Sequence, residues 1–290
     1  MLQPYTTDDV PPLVLIGAQS RAGRAIVQAW PRGRVIPVHR GTGEGVRVDD
    51  YAVVPSGVIP ADGIVVNCVG TPHGSEAELL HLNRDVALRW AEVSAQAGAR
   101  HFVQLSSFAV YGRAERIDAA TPEAPVNAYG RSKLAADHAL TEVGLPVTAL
   151  RIPMLFGDGP DKLTQLVAAV RKARVVPVLK PPVRRSMLSY AALASAIIEL
   201  TRHPVFGVVP VADPTPFTYE LLADVLREES GHCPIAVPVP GPIRSLVRIA
   251  AAPLHARLLA SSLLDPVSAW RFPINEPASL LHALRQLARG

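Results

Sequence analysis

Through its first half the chain alternates short β-rich apolar runs with stretches of helical period, and this alternation restricts the fold more than any other feature. "LVLIG" (13–17) reads as a strand, followed by a helical "RAGRAIVQAW" that stops at Pro31. "RVIPVHR" (34–40) is a second strand, "GEGVRV" leads into a third, and "GIVVNCVG" (63–70) is a fourth. A long helix over roughly 75 to 97 ends at Gly98, and "HFVQLSS" (101–107) is a fifth strand. A helix over about 127 to 143 ends at Gly144, and "PVTALRI" (146–152) is a sixth strand. Strands joined by helices of this length need right-handed crossovers, which gives a mainly parallel sheet. The expected fold is a doubly wound α/β (Rossmann) domain over residues 1–155.

After Phe156 the alternation loosens. Helices are expected near 161–173 and 190–202, on either side of "VVPVLKPPVRRSM", and 233–275 shows no clear strand period. Residues 156–290 are therefore read as mainly substrate-binding segments covering the carboxyl ends of the strands, with some elements returning to the sheet. A hydrophobic content of 49% over 290 residues is enough for a sizeable core. Net charge is only +4 and no basic run occurs, so a nucleic-acid partner is not expected. Cys68 and Cys233 give neither a metal spacing nor a disulfide framework, and no metal is expected.

No uninterrupted apolar run approaches the ~20 residues that span a bilayer. "MLQPYTTDDVPP" carries neither a basic n-region nor an apolar h-region, and a cytoplasmic location without a membrane span is expected. One stretch, "PIRSLVRIAAAPLHARLLASSLL" (242–264), has a cationic, apolar pattern that could meet a membrane surface or a lipid-linked substrate. A helix packed on the core with its arginines outward is the plainer account.

The first chemical candidate is "GAQSRAG" (17–23), between the first strand and its helix. Gly17 permits the tight turn and Gly23 lets helix and strand pack closely. The helix start at Ser20, Arg21, Ala22 and Gly23 then points free N–H groups at a pyrophosphate. Ser20 stands where a middle glycine would let backbone approach the phosphates, and its hydroxyl could bond a phosphate oxygen instead. Arg40 ends the second strand with no acid directly after it. An arginine there can pair with the 2′-phosphate of NADP, whereas an acid would bond the ribose hydroxyls of NAD. The cofactor is therefore NADP or NAD, with NADP favoured, although a solvated arginine in a glycine loop is the plain alternative. Asp49 or Asp50, after the third strand, could bond the adenine amino group or simply turn the chain.

The second candidate is "VNAYGRSKLAAD", with Tyr129 and Lys133 on one helix face. A free tyrosine has a pKa of about 10, and a lysine cation beside it would stabilise the phenolate and bring that value down. Such pairs are common by chance. Ser106 and Ser107 at the end of the fifth strand, where ligands bind in an open α/β sheet, make this one a candidate site.

With these segments together, the chain from about Leu13 to Gly231 resembles the extended short-chain dehydrogenases/reductases, the NAD-dependent epimerase/dehydratase family. "LSSFAVYG" is similar to the family's serine-containing strand end, and "PVNAYGRSKLAAD" to its active-site helix. The resemblance implies Ser107 as catalytic hydroxyl, Tyr129 as acid/base and Lys133 as its partner on the nicotinamide ribose. Asn83, in "LNRDVALRWAEVSAQAGARHFV", matches an asparagine on the helix before the serine strand. Val69 and Asn83 are placed with the cofactor residues, and backbone near Pro153 in "LRIPMLFGDG" borders the nicotinamide. "RRSMLSYAALASAII" puts Arg185 on the arginine that often meets a substrate's phosphates, although Ser186, Ser189, Ala191 and Ala192 replace polar or acidic family residues.

The implied function is an NAD(P)-dependent oxidoreductase of epimerase/dehydratase type, acting by hydride transfer on a nucleotide-activated sugar as small-molecule substrate. An NADP-dependent keto-sugar reductase and a non-catalytic dinucleotide-binding regulatory protein stay open beside it. Family members are often homodimers through the tyrosine helix and the helix before it.

Overall fold

The computed structural model describes residues 11–30, 34–157, 159–231, 233–242 and 260–289. Most of the 242–264 stretch lies outside them, as does Pro31.

The central sheet is built of β1 (Leu13–Ile16), β2 (Val35–His39), β3 (Val46–Arg47), β4 (Ile64–Asn67), β5 (His101–Ser107), β7 (Val147–Ile152) and β11 (Gly207–Pro210). These seven strands are parallel, in the order β11-β7-β5-β4-β1-β2-β3. The short β6 (Arg116–Ile117) lies outside the sheet. Every residue of β1 and β4 is buried, which is why these strands read as unbroken apolar runs. Successive side chains point to opposite faces. Leu13 and Leu15 enter one core with Ile26 of helix α1 (Arg21–Ala29), while Val14 and Ile16 enter another with Val86 and Trp90.

The helix expected over 75 to 97 is observed as α2 (Glu76–Leu80), a π turn (His81–Asp85) and α3 (Val86–Gln96) in direct succession. Ser75 and Glu78 close its start with a capping box. The helix expected over 127 to 143 is α4 (Ala128–Leu140), capped by the Asn127 side chain on the Gly130 N–H at 2.7 Å. The strand order reverses at β1, between β4 and β2, which opens the crevice at the carboxyl edge where ligands of such sheets bind.

Beyond β8 (Met154–Phe156), α5 (Lys162–Ala173) and β9 (Val175–Val178) begin a second layer, and β10 (Met187–Ser189) pairs with β8. Helix α6 (Tyr190–Arg202) does not stay there. It packs beside α1, with Leu193, Ile197 and Leu200 in the first core, and leads to β11 at the sheet edge. The outer layer gathers Phe156, α5, α7 (Tyr219–Ser230) and α8 (Leu280–Arg289) around a core of their own. Residues 233–275, expected to lack strands, contain β12 (Ile235–Pro238) against β9 and β13 (Leu263–Leu264) against β6. β12 is exposed at all four positions and β13 has two residues, so neither leaves a two-residue burial period in the sequence. Among the described residues, no helix is long and apolar enough to cross a membrane.

Candidate active site

Four strand ends meet at the carboxyl edge. After β1, Gly17 turns the chain with φ +77°, a region that disfavours side chains. A Cβ there would also crowd Val69 and the Cys68 carbonyl carbon at 3.1–3.2 Å. Gly23 is held more tightly, since a Cβ would fall 2.4 Å from the Gly17 carbonyl oxygen and 2.6 Å from that of Ala18. Both neighbours are backbone, so Gly23→Ala forces α1 off the turn. Overpacking of this kind costs about 1–3 kcal/mol, and a lowered midpoint of urea unfolding is the expected result.

Ser20 Oγ accepts the Gly23 N–H at 3.0 Å as the N-cap of α1, which leaves its O–H to donate outward. The N–H groups of Arg21 and Ala22 lie in the first helical turn, where no intrahelical carbonyl reaches them. The Arg21 guanidinium reaches across to the Pro160 carbonyl at 3.3 Å. Gln19, which sequence reading passed over, crosses to the loop after β2 and donates to the Thr42 carbonyl at 2.6 Å.

Arg40 is exposed at the end of β2, its guanidinium 5.2 Å above the Tyr51 ring. Asp49 is exposed and paired with Arg47 at 3.2 Å, while Asp50 accepts the Ala52 N–H and makes the turn. Val69 is buried against Gly17, and Pro153 is buried between β7 and β8.

At the end of β5 the Ser107 and Tyr129 hydroxyls are hydrogen-bonded to each other, both half-buried. Ser107 Oγ also accepts the Ala109 N–H at 3.1 Å. From sequence, Lys133 is expected to lower the tyrosine's pKa. The structure differs: burial raises Tyr129 above its usual range, and the opposing pull comes from Ser107. Lys133 Nζ donates instead to the Leu105 carbonyl at 2.9 Å, and burial lowers the ammonium to about 8 against the charge of Asp137.

Asn83 belongs to this site through the segments it joins. It lies fully buried on the π turn, a type of helix defect often found at functional sites. Its Oδ1 accepts the Thr71 N–H at 2.9 Å, and its Nδ2 donates to the Thr71 carbonyl and to Ser132 Oγ. Both amide hydrogens are therefore spent on the loop after β4 and on α4. Asn83 thereby ties these two elements together.

Two glycines missed in the sequence make the approach possible. A Cβ on Gly70 would sit 2.8 Å from both Lys133 Nζ and Asn83 Oδ1, and one on Gly130 would sit 2.5 Å from the Ala109 carbonyl. The only local signal for Gly70 was its place after an apolar strand.

Outside the carboxyl edge, a cleft of about 660 Å³ opens beside β6 and β13. Leu263, Leu264, Trp270, Phe272 and Ile274 line it, with Arg116, Arg184 and Arg271 set against Asp213 and Asp265. Phe108, Val110 and Tyr111, which follow Ser107, pack with its wall residue Leu264. Arg184 lines this cleft and Arg185 does not. Arg185 Nε donates to the Ala260 carbonyl at 2.8 Å, and its backbone pairs with Phe217. The two arginines are thus turned to different surroundings, because consecutive residues of extended chain face opposite sides.

The model of the NAD dependent epimerase/dehydratase family matches residues 48–208. A ceramide reductase from Caulobacter vibrioides is 28% identical over 132 residues, which cover 46% of this chain. The match spans 38% of the length of that relative. In fold the chain is similar to a dTDP-4-dehydrorhamnose reductase from Bacillus anthracis in complex with NADP (TM-score 0.68, 17% identity, 96% of this chain and 98% of the other). It is similar as well to the Bordetella bronchiseptica enzyme WbmG in complex with NAD and UDP (TM-score 0.70, 17% identity, 95% and 93%).

Proposed function

The chain belongs to the NAD-dependent epimerase/dehydratase family, and from that premise we propose that it is an NADP-preferring oxidoreductase that reduces a ketone on a nucleotide-activated sugar. The observation carrying this reading is the Ser107–Tyr129 hydrogen bond at the carboxyl edge, with Lys133 one helical turn below.

The residues fit a nicotinamide dinucleotide. The Gly17–Gly23 turn, too close for a side chain at Gly23, would cradle the pyrophosphate on the N–H groups of Arg21 and Ala22. Arg40 would meet the 2′-phosphate, Lys133 the nicotinamide ribose, and Val69 and Pro153 the ring. When bound, the dinucleotide supplies the hydride. Tyr129, raised by burial, is neutral at pH 7 and so is poised to donate a proton to a substrate oxygen that Ser107 holds. The Lys133 ammonium discharges as pH rises through about 8, so reduction should fall above that value.

A second reading is favoured by the cleft, whose apolar lining beside polar and charged side chains suits a lipid with a polar, hydrogen-bonding head as well as a nucleotide. The similarity to a ceramide reductase points the same way.

Thermal shift tests both. A dinucleotide at about 100 times its Kd stabilises by about 2.7 kcal/mol, worth about 5 °C. NADP should exceed NAD, and Arg40→Ala should remove the difference. Equal shifts in the wild type would refute the assignment of Arg40. With dinucleotide present, a further shift from a nucleoside diphosphate sugar supports the first reading. A shift confined to ceramide in detergent micelles supports the second.

A further inference from the structure

Tyr129, Lys133 and Asp137 stand on successive turns of α4, and each meets a different atom at the end of β5. Tyr129 bonds Ser107, Lys133 Nζ donates to the Leu105 carbonyl, and Ser106 Oγ donates to Asp137 Oδ2 at 2.9 Å. Ser106 is the register partner of Arg151 on β7, so both side chains leave the same face of the sheet. Arg151 Nε donates to the same Oδ2 at 3.0 Å. Ser106, Lys133, Asp137 and Arg151 are all buried, and Asp137 Oδ1 has no hydrogen-bond partner among the described residues.

We propose that Asp137 is a positioning residue: it clamps β5 and β7 to α4, sets Tyr129 and Lys133 in register with Ser107, and serves as counter-charge to the Lys133 ammonium. This rests on the roles given above to Tyr129 and Lys133. A carboxylate one turn from a buried ammonium offsets part of its desolvation. Burial lowers Lys133, and Asp137 is the largest influence acting the other way. Cys68, at the end of β4, also faces the ammonium, but burial pushes its thiol up to about 12 and it stays neutral near pH 8. On the far side of Asp137 stand Arg151, then Glu123, which pairs with both Arg151 and His138. Burial raises the Asp137 carboxyl, and the charge of Arg151 and the Ser106 bond draw it down.

The probe is the dinucleotide that raises the melting temperature, with its Kd measured against pH. In the wild type Kd should be flat below about pH 8 and weaken above it, and Lys133→Met should abolish this break. Asp137→Asn should move the break to lower pH by on the order of 1 unit. Asp137→Glu should restore the wild-type position. A break left in place in Asp137→Asn, or a Kd raised equally at every pH as a purely structural role would give, overturns the proposal. If Asp137→Asn does not fold, the double variant D137N/R151M carries the same prediction, because it leaves no unpaired buried guanidinium. A wild-type curve without a break, or a break that survives Lys133→Met, refutes the role of Lys133 itself and takes the proposal with it.

Discussion

Tyr129→Phe is expected to lower kcat for ketone reduction by about 10²–10⁴-fold, the usual contribution of a positioned proton donor. Removing one hydroxyl leaves the ring in place and costs the bond to Ser107, about 0.5–1.5 kcal/mol of stability at most. Dinucleotide affinity should hold, since the cradle lies on β1 and α1. The measurement is steady-state oxidation of the reduced dinucleotide beside its Kd. Turnover unchanged in this variant would remove the tyrosine from the chemistry. The direction of the tyrosine's shift makes the expectation sharper. Because burial holds Tyr129 above its ordinary range, it enters the reaction as an acid, and the alkaline limb near pH 8 belongs to Lys133.

Arg151→Met should produce the largest loss of stability, about 3–5 kcal/mol. The guanidinium is buried, donates to Asp137, pairs with Glu123 and lies 5.0 Å over the Tyr111 ring. Removing it alone leaves the Asp137 carboxylate, 3% exposed, without the cation that hydrogen-bonds it. The double variant D137N/R151M should recover most of that loss, because the expensive species is the unpaired buried charge and not the absence of the pair. Urea unfolding of the two singles and the double measures the coupling directly. Additive effects would mean that the two groups do not act as a pair.

Much of this architecture is written locally. The apolar runs of β1 and β4 and the glycine turn after β1 are enough to name a parallel sheet and its crevice. Tyr129, Lys133 and Ser107 were legible because helix period and strand ends fix where their Cα atoms stand. β11 and β12 were not, because β11 is exposed over its first two residues and β12 throughout, so neither forms an apolar run. The bonds of Asn83 were not legible for a different reason: its partners, Thr71 and Ser132, come from two other segments. That Arg184 and not Arg185 lines the cleft turned on a single-residue alternation in extended chain that no local pattern marks.

By itself, then, the sequence determined the sheet, the cradle and which three side chains share one edge, since period and turn chemistry act over a few neighbouring residues. Only the tertiary structure decided the protonation of those side chains and what holds them. Burial raises Tyr129, lowers Lys133 and closes Asp137 against two strands. Desolvation and pairing depend on atoms brought together from distant parts of the chain, and these exist as neighbours only once it has folded.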